Sequence, residues 1–173
     1  METKQPELIS IVNENDVVIG SATKSRVYSE GLLHRVAHIL IFNQSGKIIL
    51  QKRSAKKDFC PLHWSSSSHG HVRFGEDYVD AAMREANEEL GIDVIPRYIR
   101  KFRYQSIDIG KFIGVCVASY FGNVKPDHND VLTHELVHYD NIDKFLHGRL
   151  VHGELRFLME NIKLRDLYLI SMR

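Results

Sequence analysis

Cysteine is scarce in this sequence: only Cys60 and Cys116 occur. Two are too few for a disulfide scaffold or a four-thiolate metal site, so both are expected to be reduced thiols in a cytoplasmic protein. An excess of either charge is also missing, because 23 Lys and Arg stand against 22 Asp and Glu. That balance predicts no general attraction to nucleic acid or an anionic membrane. No apolar run approaches the roughly 20 residues that span a bilayer. The opening METKQPELIS lacks the basic-then-apolar order of a secretory signal. Repeats and long low-complexity segments are absent, and tryptophan occurs once, at Trp64. What is present is 43% hydrophobic and 26% charged residues over 173 positions, the balance of one globular domain spanning 1–173.

Two hairpins open the chain. LISIV (8–12) and VVIGSA (17–22) flank Asn13–Asp16, and HRVAHILIF (34–42) and KIILQKR (47–53) flank Asn43–Gly46. In 34–42 the period of two puts His34, Val36, His38, Leu40 and Phe42 on one face. Further strands are expected at 102–108, 112–121 and 135–140. The region 142–171 reads as helical, with Leu155, Leu158, Met159 and Ile162 on one stripe. Strands on both sides of a central helix, with helix at the end, predict an α/β sandwich with a mixed sheet. A strand such as 8–12, if exposed, could pair with a second copy to form a homodimer.

The central helix, 77–90, carries the chemistry. Val79, Ala82, Met83, Ala86 and Leu90 form its apolar stripe, and Gly91 stands where a C-cap glycine belongs. Beside that stripe Glu85, Glu88 and Glu89 emerge together at i, i+3 and i+4, where like charges repel. Upstream, Gly70 and Gly75 bracket a loop that ends at Glu76. Clustered carboxylates beside a glycine-bearing loop suit a hard divalent cation, which takes oxygen ligands. A solvated acidic helix face is the bland alternative.

Gly70, five residues, Glu76, seven residues, then Arg84-Glu85-Ala86-Asn87-Glu88-Glu89-Leu90-Gly91-Ile92 resembles the signature box of the Nudix hydrolase superfamily, with every fixed position of 70–92 filled. The resemblance implies an α/β/α sandwich that cleaves a small-molecule diphosphate linked to another moiety, using Mg²⁺ or Mn²⁺. It implies that Glu88 and Glu89 hold the metal, with the Gly70 carbonyl on it and Glu85 as a further ligand or as the base. Arg84 would fix Glu85 or Glu76 by an ion pair, and Glu135, from a later loop, is the second candidate base.

The surroundings, DVVIGSATKS and GLLHRVAHILIFNQSGKIILQKRSAKK with the Pro61-to-Trp64 spacing, resemble type 1 isopentenyl-diphosphate isomerase over about residues 8–140. That resemblance implies diphosphate contacts from Arg53 and Lys57. It also exposes departures: His69 stands where the isomerase carries its cysteine, Val27 replaces one metal histidine while His34 and His71 match the others, and no glutamate occurs around Phe112–Gly114. The leading expectation is therefore a hydrolase with isomerase-like surroundings; a divergent isomerase is the alternative. His69 and His71 are expected to bind phosphate, transfer protons or merely pack. Ser65–Ser68 are expected to line the pocket and donate to phosphate oxygens. Trp64 reads as core, or as a ring that stacks on a base or covers an isoprenoid.

Overall fold

The computed structural model describes residues 7–107 and 109–173. Asparagine side chains close both early turns: Asn13 Oδ1 accepts from the amides of Asn15 and Val17, and Asn43 Oδ1 from those of Ser45 and Lys47, all at 3.0 Å. The first turn joins β1 (Leu8–Val12) to β2 (Val18–Thr23). Thr23 then caps α1 (Lys24–Ser29), a helix absent from the sequence expectations. The second turn joins β3 (His34–Phe42) to β4 (Lys47–Arg53). Next come β5 (Trp64–Ser65), β6 (Ser68–His71) and α2 (Tyr78–Leu90). The chain continues through β7 (Arg97–Gln105), β8 (Gly110–Ser119) and β9 (Val131–His138) to α3 (Ile142–Leu146), α4 (Gly153–Asn161) and α5 (Leu164–Ser171).

The strands make a mixed sheet around β3. It runs parallel to β8 from His34–Lys111 to Phe42–Ser119, and antiparallel to β6 from Val36–His71 to Ile39–Ser68. Outside β8 lies β7, while β4 pairs with β9 and β5. Both faces of β3 are covered, as its near-continuous apolar run requires. On one face Ala37, Ile39 and Ile41 pack with Ala81, Ala82, Ala86 and Leu90 of α2. On the other, Leu40 and Phe42 pack with Leu155 and Leu158 of α4 and Leu167 of α5. The expected α/β/α sandwich is present, and full burial of each leucine contributes about 1.5–3 kcal/mol.

The central helix matches its expected bounds because both ends are capped. Asp77 accepts from the amides of Val79 and Asp80, Asp80 accepts from the Asp77 amide, and Gly91 is left-handed at φ 62°. Elsewhere the sequence reading is corrected. The expected strand 102–108 is β7, which begins at Arg97 and ends at Gln105; Asp108 lies outside the described residues. The helical region 142–171 is broken into three helices. Gly148 at φ +70° ends the first, and Val151 then pairs with Trp64, so strand pairing overrides the helical period there. β1 lies between β2 and β3 and is no free edge, which removes the basis for a homodimer through 8–12. Among the described residues no helix is long and apolar enough to cross a membrane.

Candidate metal and phosphate site

A cleft of about 850 Å³ opens beside β6, lined by Gly70, Glu85, Glu88, Glu89, Arg53 and Lys57 among others. α2 delivers the carboxylates, and β6 faces them with alternate residues. Ser68 Oγ donates to Glu89 Oε2 at 2.6 Å. Two positions on, a Cβ at Gly70 would fall 2.0 Å from Glu85 Oε1, so only glycine lets that carboxylate rest on the strand.

Glu89 is buried. Besides Ser68 it accepts from Gln51 Nε2 at 2.8 Å and from the His69 amide at 3.3 Å, all on Oε2, while Lys57 stands 4.0 Å from Oε1. Burial raises its pKa against these donors. Glu85 is pushed up to about 8 by burial and then by the neighbouring Glu89, despite Arg84. Arg84 is the hub of the carboxylates. It donates to both Glu76 oxygens at 2.7 and 3.0 Å, to Glu85 at 2.5 Å, to Glu88 at 3.1 Å and to the His71 carbonyl at 2.9 Å. Burial alone would raise the Glu76 pKa, but the bonds from Arg84 hold it below the ordinary value.

The donor set fits a hard divalent cation: Glu85 rests on Gly70, Glu88 and Glu89 line the same cleft, and Glu85 and Glu89 hold raised pKa values that a cation would relieve. Among the described residues no three such side chains already stand as a finished metal cage. Arg84 and Lys57 supply the counter-charge in their place.

The odd residues of β6 face the other way. The His69 ring stacks on His38 at 4.8 Å and meets His152 at 5.1 Å, and Arg53 donates to His69 Nε2 at 3.0 Å. The His71 ring lies 5.4 Å from that of His34, and its Nε2 is hydrogen-bonded to the Tyr28 hydroxyl at 3.0 Å. Behind them Glu154 of α4 accepts from His38 Nε2 at 2.7 Å and from Lys111 Nζ at 2.7 Å. Burial would raise the Glu154 pKa, yet the His38 bond and the Lys111 charge hold it well below the carboxylate range. Burial depresses the imidazoles: His34 and His152 to about 4, His71 to about 3, and His69 well below its ordinary value.

With this geometry in place, comparison with known proteins identifies the lineage. Residues 32–158 match the NUDIX domain. The chain belongs to the Nudix family. An uncharacterised Nudix hydrolase of Streptomyces coelicolor is 33% identical over 160 residues, covering 90% of this chain and 84% of that protein. The isopentenyl-diphosphate Delta-isomerase of Serratia proteamaculans is 37% identical over 107 residues, covering 62% of this chain. The match spans only 60% of the isomerase's own length. A crystal structure from Deinococcus radiodurans shares the fold at TM-score 0.75 and 24% identity, covering 94% of this chain and 99% of that one. A MutT protein from Methanosarcina mazei does so at 0.65 and 19%, covering 78% and 95%.

Within this Nudix cleft the expected residues fall into three groups. Gly70, Glu85, Glu88 and Glu89 come together with Arg53, Lys57, His69 and His71 as lining residues, and Arg84 braces the glutamates from behind. Glu135 does not join them; it is exposed on β9, opposite Leu50 of β4. The serines are corrected. All four are wholly buried and none lines the cleft. Ser66 bonds His38, Ser67 ties the Ile41 amide to the Ile49 carbonyl, and Ser68 holds Glu89. They form neither a linker nor a phosphate cradle. Trp64 is core, edge-on to Phe145 at 4.8 Å.

Five contributors escaped the sequence reading: Tyr28, Gln51, Lys111, His152 and Glu154. The available signal was polarity in apolar surroundings, a lysine near the start of the buried run Gly110–Ser119 and a glutamine within IILQKR. Glu154 gave none, since an acid in a first helical turn needs no partner to be explained.

Proposed function

We propose that the protein is a Mg²⁺- or Mn²⁺-dependent hydrolase of a diphosphate linked to another moiety. The observation that carries this reading is that Glu85, Glu88 and Glu89 line one cleft with Gly70, Glu85 resting on that glycine, and that Arg53 and Lys57 line it too. Nudix hydrolases generally use divalent metals. Glu88, Glu89 and the Gly70 carbonyl would hold the ion, with Glu85 beside them. When bound, such an ion neutralises phosphoryl oxygens and lowers the pKa of water. Arg53 and Lys57 bind the diphosphate oxygens, Lys57 leaving its present partner Asp130. Water adds to one phosphorus, the bridging P–O bond breaks, and a carboxylate takes the water proton. Glu85 is the better-placed base, because it lines the cleft and Glu135 does not. Arg84 keeps Glu85, Glu76 and Glu88 in place through the cycle.

Isomerisation is the second reading, favoured by the Serratia relative's name. Against it, the cysteine position holds His69 and no glutamate stands at 112–114. Cys60 and Cys116 are unpaired thiols, which supports a reducing, cytoplasmic location. The test is a Mg²⁺-supplemented assay of nucleoside diphosphate sugars, dinucleotides, nucleoside triphosphates and isoprenoid diphosphates. Hydrolysis that Glu89→Gln abolishes supports the proposal; conversion of isopentenyl to dimethylallyl diphosphate without hydrolysis overturns it.

A further inference from the structure

The half of the cleft facing away from α2 has no part in the proposed bond cleavage, yet it is built with care. Lys111, His152 and Glu154 are all cleft-lining and at most 4% exposed. They come from β8 and from the start of α4, 43 residues apart at the Lys111–Glu154 bond. Tyr28 reaches the same space from α1, in a segment that precedes the matched family region of 32–158.

We propose that this half of the cleft reads the moiety attached to the diphosphate, and that this moiety is polar and hydroxyl-bearing, not a hydrocarbon. The inference rests on the hydrolase reading above and names its substrate class. Of the 22 residues lining the cleft, only Val36 and Phe59 carry purely hydrocarbon side chains. An isoprenoid chain would strip water from buried polar groups there and return no hydrogen bond.

The donor and acceptor inventory suits hydroxyl groups, each of which both donates and accepts. Lys111 Nζ carries three protons and has one hydrogen-bond partner among the described residues, Glu154. Its charge is balanced by Glu154, so the pair attracts no further anion. The Tyr28 hydroxyl and the His71 ring add a linked donor–acceptor pair. The His69, His71 and His152 rings line the same space, and an imidazole nitrogen can donate to or accept from a hydroxyl. Beside His71, the His34 Nδ1 bonds the Leu32 carbonyl, and its buried Nε2 has no partner among the described residues.

The experiment compares kcat/KM with Mg²⁺ for two hydroxylated probes, uridine diphosphate glucose and ADP-ribose, and two hydrocarbon ones, isopentenyl and geranyl diphosphate. At least one polar probe is expected to exceed both isoprenoids by on the order of 10²-fold or more, as a site built for hydrogen bonding rejects ligands that lack them. In Lys111→Met/Glu154→Gln, which removes both charges together, KM for that probe should rise on the order of 10-fold with a smaller change in kcat. Tyr28→Phe, at a partly exposed ring, should raise KM a few-fold and serves if the double variant fails to fold by circular dichroism. Isoprenoid turnover equal to or faster than that of the polar probes overturns the inference and leaves the hydrolase reading standing. Polar preference with unchanged KM in the folded variants also overturns it, since recognition then lies elsewhere. No hydrolysis of any probe with Mg²⁺ or Mn²⁺ overturns the hydrolase reading and this inference with it.

Discussion

The two halves of the cleft share strand β6 and differ in almost everything else. Ser68 and Gly70 face α2, where Glu85, Glu88 and Glu89 line one side with Arg84, Arg73 and Lys57 to balance them. His69 and His71 face the histidines, Tyr28 and the neutral Lys111–Glu154 pair. The carboxylate half holds repelling charge, which the proposed cation would relieve. The histidine half carries the balanced Lys111–Glu154 pair and, in the proposal, takes a polar ligand through the donors that pair leaves unused. Burial perturbs both, in opposite directions: it raises Glu85 and Glu89 and depresses the histidines. A single strand with period two can therefore join a reactive surface to a recognising one.

Acid should break this comparison with the largest effect. A histidine depressed to about 4 in the folded chain takes its proton near 6.5 when unfolded. Stability from His34, His71 and His152 is thus present above about 6.5 and lost as pH falls toward 4. Each contributes a slope of up to about 1.4 kcal/mol per pH unit. Glu85 acts in the opposite sense: raised to about 8, it stabilises the metal-free fold at low pH and loses that contribution as pH rises through 8. Denaturant midpoints from pH 8 to 4 check this, and a flat profile below 6.5 would show that the histidine half is not buried neutral.

Next in size are the charge removals on α2. Glu88→Gln is expected to lower hydrolysis by at least on the order of 10²-fold, because one charged oxygen ligand is lost where electrostatic stabilisation dominates. Folding should change little, since Glu88 is 45% exposed at its side chain. Near-wild-type turnover at saturating Mg²⁺ would reduce the helix to a solvated acidic face.

The carboxylate half was legible because it is local. Its spacing lies within 70–92, where helical geometry alone brings three glutamates to one side. The turn between 34–42 and 47–53 and the capped helix were legible for the same reason, from Asn43–Gly46 and from Gly91. The histidine half was not, since Glu154 meets His38 across 116 residues and no periodicity encodes that pairing. The serine run misled for a related reason: small hydroxyls suit a pocket wall and a buried strand equally, and only the neighbours Glu89 and His38 decide between them.

Two smaller effects sharpen the contrast along β6. Gly70→Ala places a methyl group against a Glu85 carboxylate that Arg84 already holds, and overpacking of this kind costs about 1–3 kcal/mol. Thermal denaturation and a Mg²⁺ titration should show lower stability together with weaker metal dependence. Ser68→Ala removes one of three donors to Glu89 Oε2 and is expected to cost about 1 kcal/mol. If Ser68→Ala is neutral in denaturant titration, the hydroxyl does not hold Glu89.

The most direct test of the central claim is hydrolysis in ¹⁸O-labelled water, with mass analysis of the phosphorylated products. The account predicts that, with Mg²⁺ and a turned-over diphosphate, one solvent oxygen enters one of the two products in each turnover, and that chelator stops the reaction. Products without label, or a diphosphate left intact while its attached group is rearranged, would contradict it.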